Sequence, residues 1–423
     1  MKILHLSTGD NRGAFTAAYR THRNLLESGH ISKLFVADKK TTDIDITQIK
    51  KGAHYFWKFL SILDKILLRL FLKEDIRKKH CFFFDYPHAF IKNSMDSLFS
   101  EEFDLIIVYY VSNFLSVEQI KEISQHYKAK VAFYLMDMGP MTGGCHYAWN
   151  CTGYLEGCYA CPITSSKIHQ KLISNETTRR HNTYIDLCPV VISGSGWLSK
   201  QAKDSYLFSS FQHEKILLGL DPDVYSPHWR HEIRKKLGFN ENDVVIYFGA
   251  QNINDPRKGF EYLNDALVQL ASKISPNQLS KLKILTVGKI DKEIDSLKSF
   301  NHTHIPYISN EIEFAKIYSG VDLFICPSVE DSGPMMINES ILSGTPVLAF
   351  KMGVAIDLVV NNDTGYLAEL GNSASLCNYL IQFINLSLSE KELMRERCRS
   401  LGLVATTKKN QIDSFSNLVE RLR

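Results

Sequence analysis

KILHLSTGDNRGAFTAAYRTHRNLLES, residues 2–28, followed by KLFVA at 33–37, decides the fold. A short apolar run ends in a glycine-bearing turn, a helical pattern covers Ala14 to Ser28, and a second apolar run follows. Strands buried on both faces read as near-continuous hydrophobic runs, and parallel strands joined through helices are buried in this way. The same kind of run recurs as DLIIVYY (104–110), KVAFYLM (130–136) and PVVISGS (189–195), each bounded by turn residues. The pattern predicts a doubly wound α/β domain.

Working outward, the apolar pattern of KILLGLDPDVYSP (215–227) stops at Asp221-Pro222, and the charged stretch HWRHEIRKKLGFNEND (228–243) follows. A linker is therefore expected at about residues 222–240. A second series then begins: VVIYFGA (244–250), KILTVG (283–288), VDLFICPS (321–328) and TPVLAF (345–350). Two Rossmann-like domains result, 1–222 and 223–409, with a last helix at 410–423 expected to pack back on the first domain. A chain of 423 residues is longer than one hydrophobic core usually organises, in keeping with two.

With 44% hydrophobic and 22% charged residues the chain is not disordered or fibrous. A formal net charge of +3, with no dense basic run of aromatic spacing, argues against nucleic acid as the partner. MKILHLSTGD reads as a buried first strand and not as a signal peptide, so the expected location is cytoplasmic. YFWKFLSILDKILLRLFLKEDIRKK, residues 55–79, is interrupted by Lys58, Lys65, Arg69, Lys73 and Arg77. Its apolar runs fall short of the roughly 18 residues of a spanning helix. It is expected to be an amphipathic helix, either packed on the first sheet or lying peripherally at the inner face of a membrane.

Chemistry is expected at the strand-to-helix junctions. The first reads Ser7-Thr8-Gly9-Asp10-Asn11-Arg12-Gly13-Ala14, where Gly13 lets backbone N–H groups approach a phosphate or sugar. A tight turn explains the glycines equally well, and the spacing is not that of a dinucleotide site. The corresponding junction of the second series, Phe248 to Phe260, ends in Arg257-Lys258-Gly259. A guanidinium that forks onto two oxygens beside a compact ammonium suits a pyrophosphate. VDLFICPS is followed by Val329-Glu330-Asp331-Ser332-Gly333-Pro334-Met335-Met336-Ile337-Asn338-Glu339-Ser340 and then Gly344-Thr345-Pro346-Val347. A carboxylate there accepts from vicinal hydroxyls, and a loop at a helix start complements phosphate.

Four of the nine cysteines are clustered in TGGCHYAWNCTGYLEGCYACP, as Cys145, Cys151, Cys158 and Cys161. Four thiolates closing with C-x-x-C fit a structural Zn²⁺ with no open position for substrate. Reduced thiols or disulfides, and an iron–sulfur cluster, are the other readings. The remaining five (Cys81, Cys188, Cys326, Cys377 and Cys398) are scattered through apolar or helical contexts.

The acid, seven residues, glutamate and A/S-x-x-x-G-x-P-V pattern from Asp331 and Glu339 to Val347 resembles the donor-site signature of retaining GT-B glycosyltransferases. The resemblance extends to SGSGWLSKQAK (193–203), Gly219-Leu220-Asp221, the Arg-Lys-Gly turn and Asn362-Asp363-Thr364-Gly365-Tyr366. The chain is similar to glycosyltransferase family 4, in the group that builds bacterial surface polysaccharides. The resemblance implies a cleft between the domains, with Asp331, or Glu330 beside it, on sugar hydroxyls. It further implies the backbone of Gly333, Pro334, Met335 and Met336 on sugar and phosphates, and Glu339 on the ribose. Arg257 and Lys258 would stabilise the leaving diphosphate, so no catalytic metal is expected. Two departures bear on the site. Ala250 and Gln251 stand where related sequences carry an arginine, and Met136 replaces the histidine before Asp137, leaving Asp137 and His146 as catalytic candidates. The expected function is retaining hexosyl transfer from a nucleotide-diphosphate sugar to a lipid-linked glycan. An epimerase, a phosphorylase or a non-catalytic nucleotide-sugar-binding scaffold are the alternatives.

Overall fold

The computed structural model describes residues 1–9, 13–49, 102–112, 114–290, 294–306 and 308–423. The amphipathic stretch 55–79 and Cys81 lie outside these residues, as do Asp10 to Arg12 of the first glycine turn. The chain divides into two compact units. One is Met1–Gly194 with Leu198–Ile216 and Ile412–Arg423, and the other is Ser195–Trp197 with Leu217–Gln411.

In the first unit, among the described residues, seven strands form one sheet in the order β3-β2-β1-β4-β5-β6-β7. They are β1 (Lys2–Gly9), β2 (Ile31–Asp38), β3 (Ile46–Gln48), β4 (Leu105–Val108), β5 (Lys130–Leu135), β6 (Val190–Ser193) and β7 (Gln212–Lys215). Every pairing is parallel. Strand order reverses between β1 and β4, and ligands of open α/β sheets bind outside the carboxyl ends of the strands at such a point. Helix Val117–Tyr127 enters through a capping box, Ser116 with Gln119, which satisfies two N–H groups the helix leaves open. Residues Ile412–Arg423 belong to this unit. Phe415 faces the Tyr134 ring at 6.5 Å, Arg421 pairs with Glu214 at 2.7 Å, and Arg423 pairs with Asp104 at 2.8 Å.

The second unit holds a parallel sheet of six described strands in the order β10-β9-β8-β11-β12-β13. These are β8 (Val244–Asn252), β9 (Leu282–Lys289), β10 (Asn301–Ile305), β11 (Leu323–Cys326), β12 (Val347–Phe350) and β13 (Gly365–Ala368). Side chains alternate across β8: Ile246 and Phe248 enter one core, Val245 and Tyr247 the other. Both faces are therefore covered, the condition under which a parallel sheet is stable. The switch point lies between β8 and β11, so the segments leaving those two strands, 253–259 and 327–334, sit at the expected binding edge. Among the described residues no helix is long and apolar enough to cross a membrane.

The linker expected at 222–240 is corrected. Residues Arg230–Leu237 form a helix of the second unit with Ile233 and Arg234 buried. Arg234 reaches Asp322 at 3.2 Å and donates to the Asn240 and Asp243 carbonyls, and Asp322 also accepts from the Val245 N–H. The charged run looks solvated in sequence because its ion-pair partner is 88 residues away.

Candidate active site

Arg257, Lys258 and the acidic loop lie at the carboxyl edge of the second sheet. Asp255 caps the short 3₁₀ turn Pro256–Lys258, accepting from the Arg257 N–H, and Gly259 ends it in the left-handed region at φ +65°. A Cβ at Gly259 would lie 1.8 Å from the Pro327 carbonyl oxygen, so only glycine lets the turn press on the end of β11. The Val329 N–H then donates to the Arg257 carbonyl at 2.8 Å and joins the turn to the acidic loop.

These constraints bring Lys258 Nζ to 2.6 Å from Asp331 Oδ2. Burial favours the neutral amine, but the charge and hydrogen bond of Asp331 more than offset it and hold Lys258 above the ordinary lysine range. Burial likewise opposes the carboxylate, and Lys258, with the Gly333 N–H, holds Asp331 below its ordinary range. A charged, partly sheltered pair results. Arg257 is oriented differently: its guanidinium pairs with Asp255 at 2.6 Å. The loop continues into helix Met335–Leu342, which begins at Pro334 with no side-chain cap, leaving its first N–H groups for another acceptor. Glu330 is buried beside Asp331.

Glu339 is 3% exposed and accepts from the Tyr318 hydroxyl at 2.8 Å and the Tyr225 hydroxyl at 3.3 Å. The Tyr225 hydroxyl also lies 3.2 Å from Glu311. Burial first, and then the Glu339 charge, push the Tyr318 hydroxyl far above the ordinary tyrosine range, so it stays a donor. Sequence reading placed Glu339 on the donor but missed Asp255, Tyr225 and Tyr318. A tyrosine inside an apolar run gives no local sign of the carboxylate it will meet.

The other candidates belong to the first unit. Gly13 opens helix Gly13–Glu27, exposed and with no acidic residue in the first turn. Asp137 follows β5, and its Oδ2 lies 2.6 Å from His146 Nδ1. The cysteines gather separately: Cys145, Cys151, Cys158 and Cys161 line one apolar cavity of about 20 Å³ with Ile163 and Ile173. Cys151 accepts from the Gly153 N–H and Cys158 from the Gly143 N–H, each at 3.4 Å. Burial pushes the Cys158 thiol up, and pushes Cys161 up to about 11. Sulfurs that accept N–H groups fit a soft cation in kind. Among the described residues, however, no group of three or more His, Cys, Asp or Glu side chains is arranged to hold a metal ion.

With a lysine–carboxylate pair at the switch point and an uncapped helix start after it, the second unit has the parts of a sugar–phosphate site. Residues 230–400 match the family model of the glycosyl transferases, group 1. The matched segment contains the turn, the acidic loop and Glu339. The chain is 23% identical over 197 residues to N-acetyl-alpha-D-glucosaminyl L-malate synthase of Bacillus anthracis, covering 44% of this chain and 50% of that one. It thus spans about half the length of that relative. Among solved structures it is similar to sucrose-phosphate synthase of Thermosynechococcus elongatus, with a TM-score of 0.66 at 15% identity over 100% and 98% of the two chains. It is also similar to HepE of Anabaena in complex with UDP and glucose, with a TM-score of 0.61 at 16% identity over 99% of each chain. These likenesses show the fold: two parallel-sheet α/β domains of the GT-B kind.

Proposed function

We propose that the chain is a retaining hexosyltransferase that moves a hexosyl unit from a nucleotide-diphosphate sugar to a lipid-linked glycan in polysaccharide biosynthesis. The observation that carries this is the 2.6 Å Lys258–Asp331 pair in the loop leading to the uncapped helix Met335–Leu342. An arriving diphosphate competes for the Lys258 ammonium, which keeps three donors and serves both partners, while Asp331 turns to the sugar hydroxyls. As the bond from the anomeric carbon to the phosphate oxygen breaks, negative charge grows on the departing diphosphate. On this reading Lys258 and the N–H groups of Met335 and Met336 receive it. Arg257 joins them by exchanging Asp255 for a phosphate oxygen.

Charge of this kind meets the needs of the leaving group, so the reading requires no catalytic metal. The UDP and glucose held by the structurally similar HepE support a nucleotide-sugar donor. The basic amphipathic character of residues 55–79 supports a lipid-linked acceptor at an anionic membrane surface and a peripheral location there.

Thermal shift against UDP-, GDP-, ADP- and dTDP-sugars tests the reading, repeated with Lys258→Ala and Glu339→Ala. Stabilisation by one nucleotide family that both substitutions abolish is the expected result. Stabilisation by none would move the reading to a scaffold without a donor. Donor turnover without an acceptor would favour an epimerase, and turnover requiring inorganic phosphate a phosphorylase.

A further inference from the structure

Residues 142–163 of the first unit take no part in the donor site of the second, yet their backbone bends sharply around one point. Trp149 and Cys158 hold left-handed backbone at φ +52° and +56°, and Gly144 and Gly157 stand at +137° and +93°. A residue with a Cβ occupies that region at a cost, which persists only where the surroundings over-determine it. The bends bring Cys145, Cys151, Cys158 and Cys161 to the wall of a single cavity of about 20 Å³. Helix Lys167–Leu187 closes it: Ile173 is one of its walls, and Arg180 donates to the Thr142 carbonyl at 3.0 Å. A Cβ at Gly143 would lie 2.6 Å from the Ile173 methyl, so the loop is pressed on the helix.

Backbone N–H groups point at the sulfurs. Gly153 donates to Cys151 Sγ and Gly143 to Cys158 Sγ, each at 3.4 Å, and the Cys161 sulfur accepts from the Ile163 and Thr164 N–H groups. Cys151 and Cys161 are thus each met by the N–H two positions further on, the same turn made twice. A neutral thiol is a weak acceptor that gains little from such bonds, whereas a thiolate bound to a cation is stabilised and oriented by them. The Thr142 hydroxyl, also at the cavity, is already engaged with the Cys145 carbonyl at 2.7 Å and the Gly144 N–H at 3.1 Å. Ala148, Pro162, Ile163 and Ile173 are further walls, so the cavity offers soft sulfur donors in an apolar shell. Sulfur ligands select Zn²⁺ over the oxygen-seeking Mg²⁺ and Ca²⁺. The cavity takes one water-sized group, which admits a single bare ion and not a cluster of irons bridged by sulfide.

We propose that Cys145, Cys151, Cys158 and Cys161 bind one Zn²⁺ as four thiolates, and that the ion fastens residues 142–163 to helix Lys167–Leu187. No three of these side chains form a ready metal set as they stand. A cysteine needs rotation about only one bond to swing its sulfur, and all four already border the same space. Binding exchanges four S–H bonds for four Zn–S bonds; the four protons pass to solvent and no electron moves. A closed four-sulfur site leaves no position for substrate, so the ion serves the shape of the loop and not catalysis. The site lies wholly within the first unit and stands independently of the transfer reaction proposed above.

Metal analysis of the untagged full chain, purified under reducing conditions and dialysed against Zn²⁺ and then against metal-free buffer, tests the proposal. One zinc per chain is the expected result. Cys158→Ser and Cys161→Ser should lose it, while Cys188→Ser, an exposed cysteine outside the cluster, should keep it. Should the cluster variants fail to fold, the wild-type chain still decides. Stepwise modification of its thiols with a mercurial should release zinc to a chromophoric chelator in step with the clustered cysteines, which peptide mapping identifies. Co²⁺ exchanged for the metal should show the intense near-ultraviolet charge-transfer bands of a tetrahedral cobalt thiolate. Removal of the metal by chelator with reductant should lower the melting temperature, and Zn²⁺ but not Mg²⁺ should restore it. A chain that takes up no zinc, one that holds iron with visible absorption, or one whose four clustered cysteines are paired as disulfides would overturn the proposal. Zinc retained at full content in both cluster variants would place the ion elsewhere and overturn it as well.

Discussion

At Gly259 the φ of +65° and the approach of the Pro327 carbonyl demand the same residue for two reasons. Alanine would have to adopt left-handed backbone and also push the β11 end away from the turn. Gly259→Ala is expected to destabilise the second unit by about 2–4 kcal/mol in denaturant melts, combining left-handed strain with overpacking. It should also separate Lys258 from Asp331 and weaken donor binding. The Arg-Lys-Gly turn and the acidic loop with Asp331 were legible in the sequence as strand-to-helix junctions of one series. Their 2.6 Å contact was not legible, since 73 residues separate them. The same holds for Arg257, which reads as a free phosphate ligand until Asp255, two residues before it, is seen to hold it.

At the scale of elements, helix Arg230–Leu237 was misread as linker, and its buried face gives the test. Arg234 is 1% exposed; besides Asp322 it serves the carbonyls of Gly320, Asn240 and Asp243. A linker residue would tolerate Arg234→Ala. Here the substitution leaves a buried carboxylate with one cation fewer and takes one donor from each of three carbonyls. The expected loss is about 3 kcal/mol or more in chemical denaturation, because breaking a buried pair strands the remaining charge. The cysteine segment offers a second test. A Cβ at Gly143 would lie 2.6 Å from the Ile173 methyl and 3.0 Å from Cys158 Cβ. Gly143→Ala should lower the melting midpoint of the first unit and make Cys158 and Cys161 react faster with a thiol reagent.

For the molecule as a whole, acid should act on the two units in different windows. In the first unit His5 and His22 share the Ser32 hydroxyl at 3.0 and 2.7 Å. Burial lowers His22 to about 4, and burial with the nearby His22 holds His5 well below the ordinary histidine range. The unfolded chain, titrating near 6.5, then binds more protons than the folded one below that pH. Stability is complete above about 6.5 and is lost as pH falls toward 4, by roughly 3 kcal/mol from His22 alone. In the second unit burial opposes the Asp322 carboxylate, but Arg230 and Arg234 lower it overall, and Asp331 is lowered as well. Their contribution persists above the unfolded value of about 3.9 and disappears only as pH falls through their lower folded values. Hydrogen exchange resolved by peptide should therefore show the first unit opening between pH 6.5 and 4 while the second stays protected. Opening in the reverse order would contradict these assignments. The two parallel sheets, their order along the chain and the strand-to-helix junctions between their elements follow from the sequence alone, because hydrophobic period and turn residues act over a few positions. The tertiary structure decided which carboxylate holds which cation, that the charged run after Pro222 is structural, and that Asp137 and His146 form a pair. Burial and ion pairing join residues far apart in the chain, where no local spacing records them.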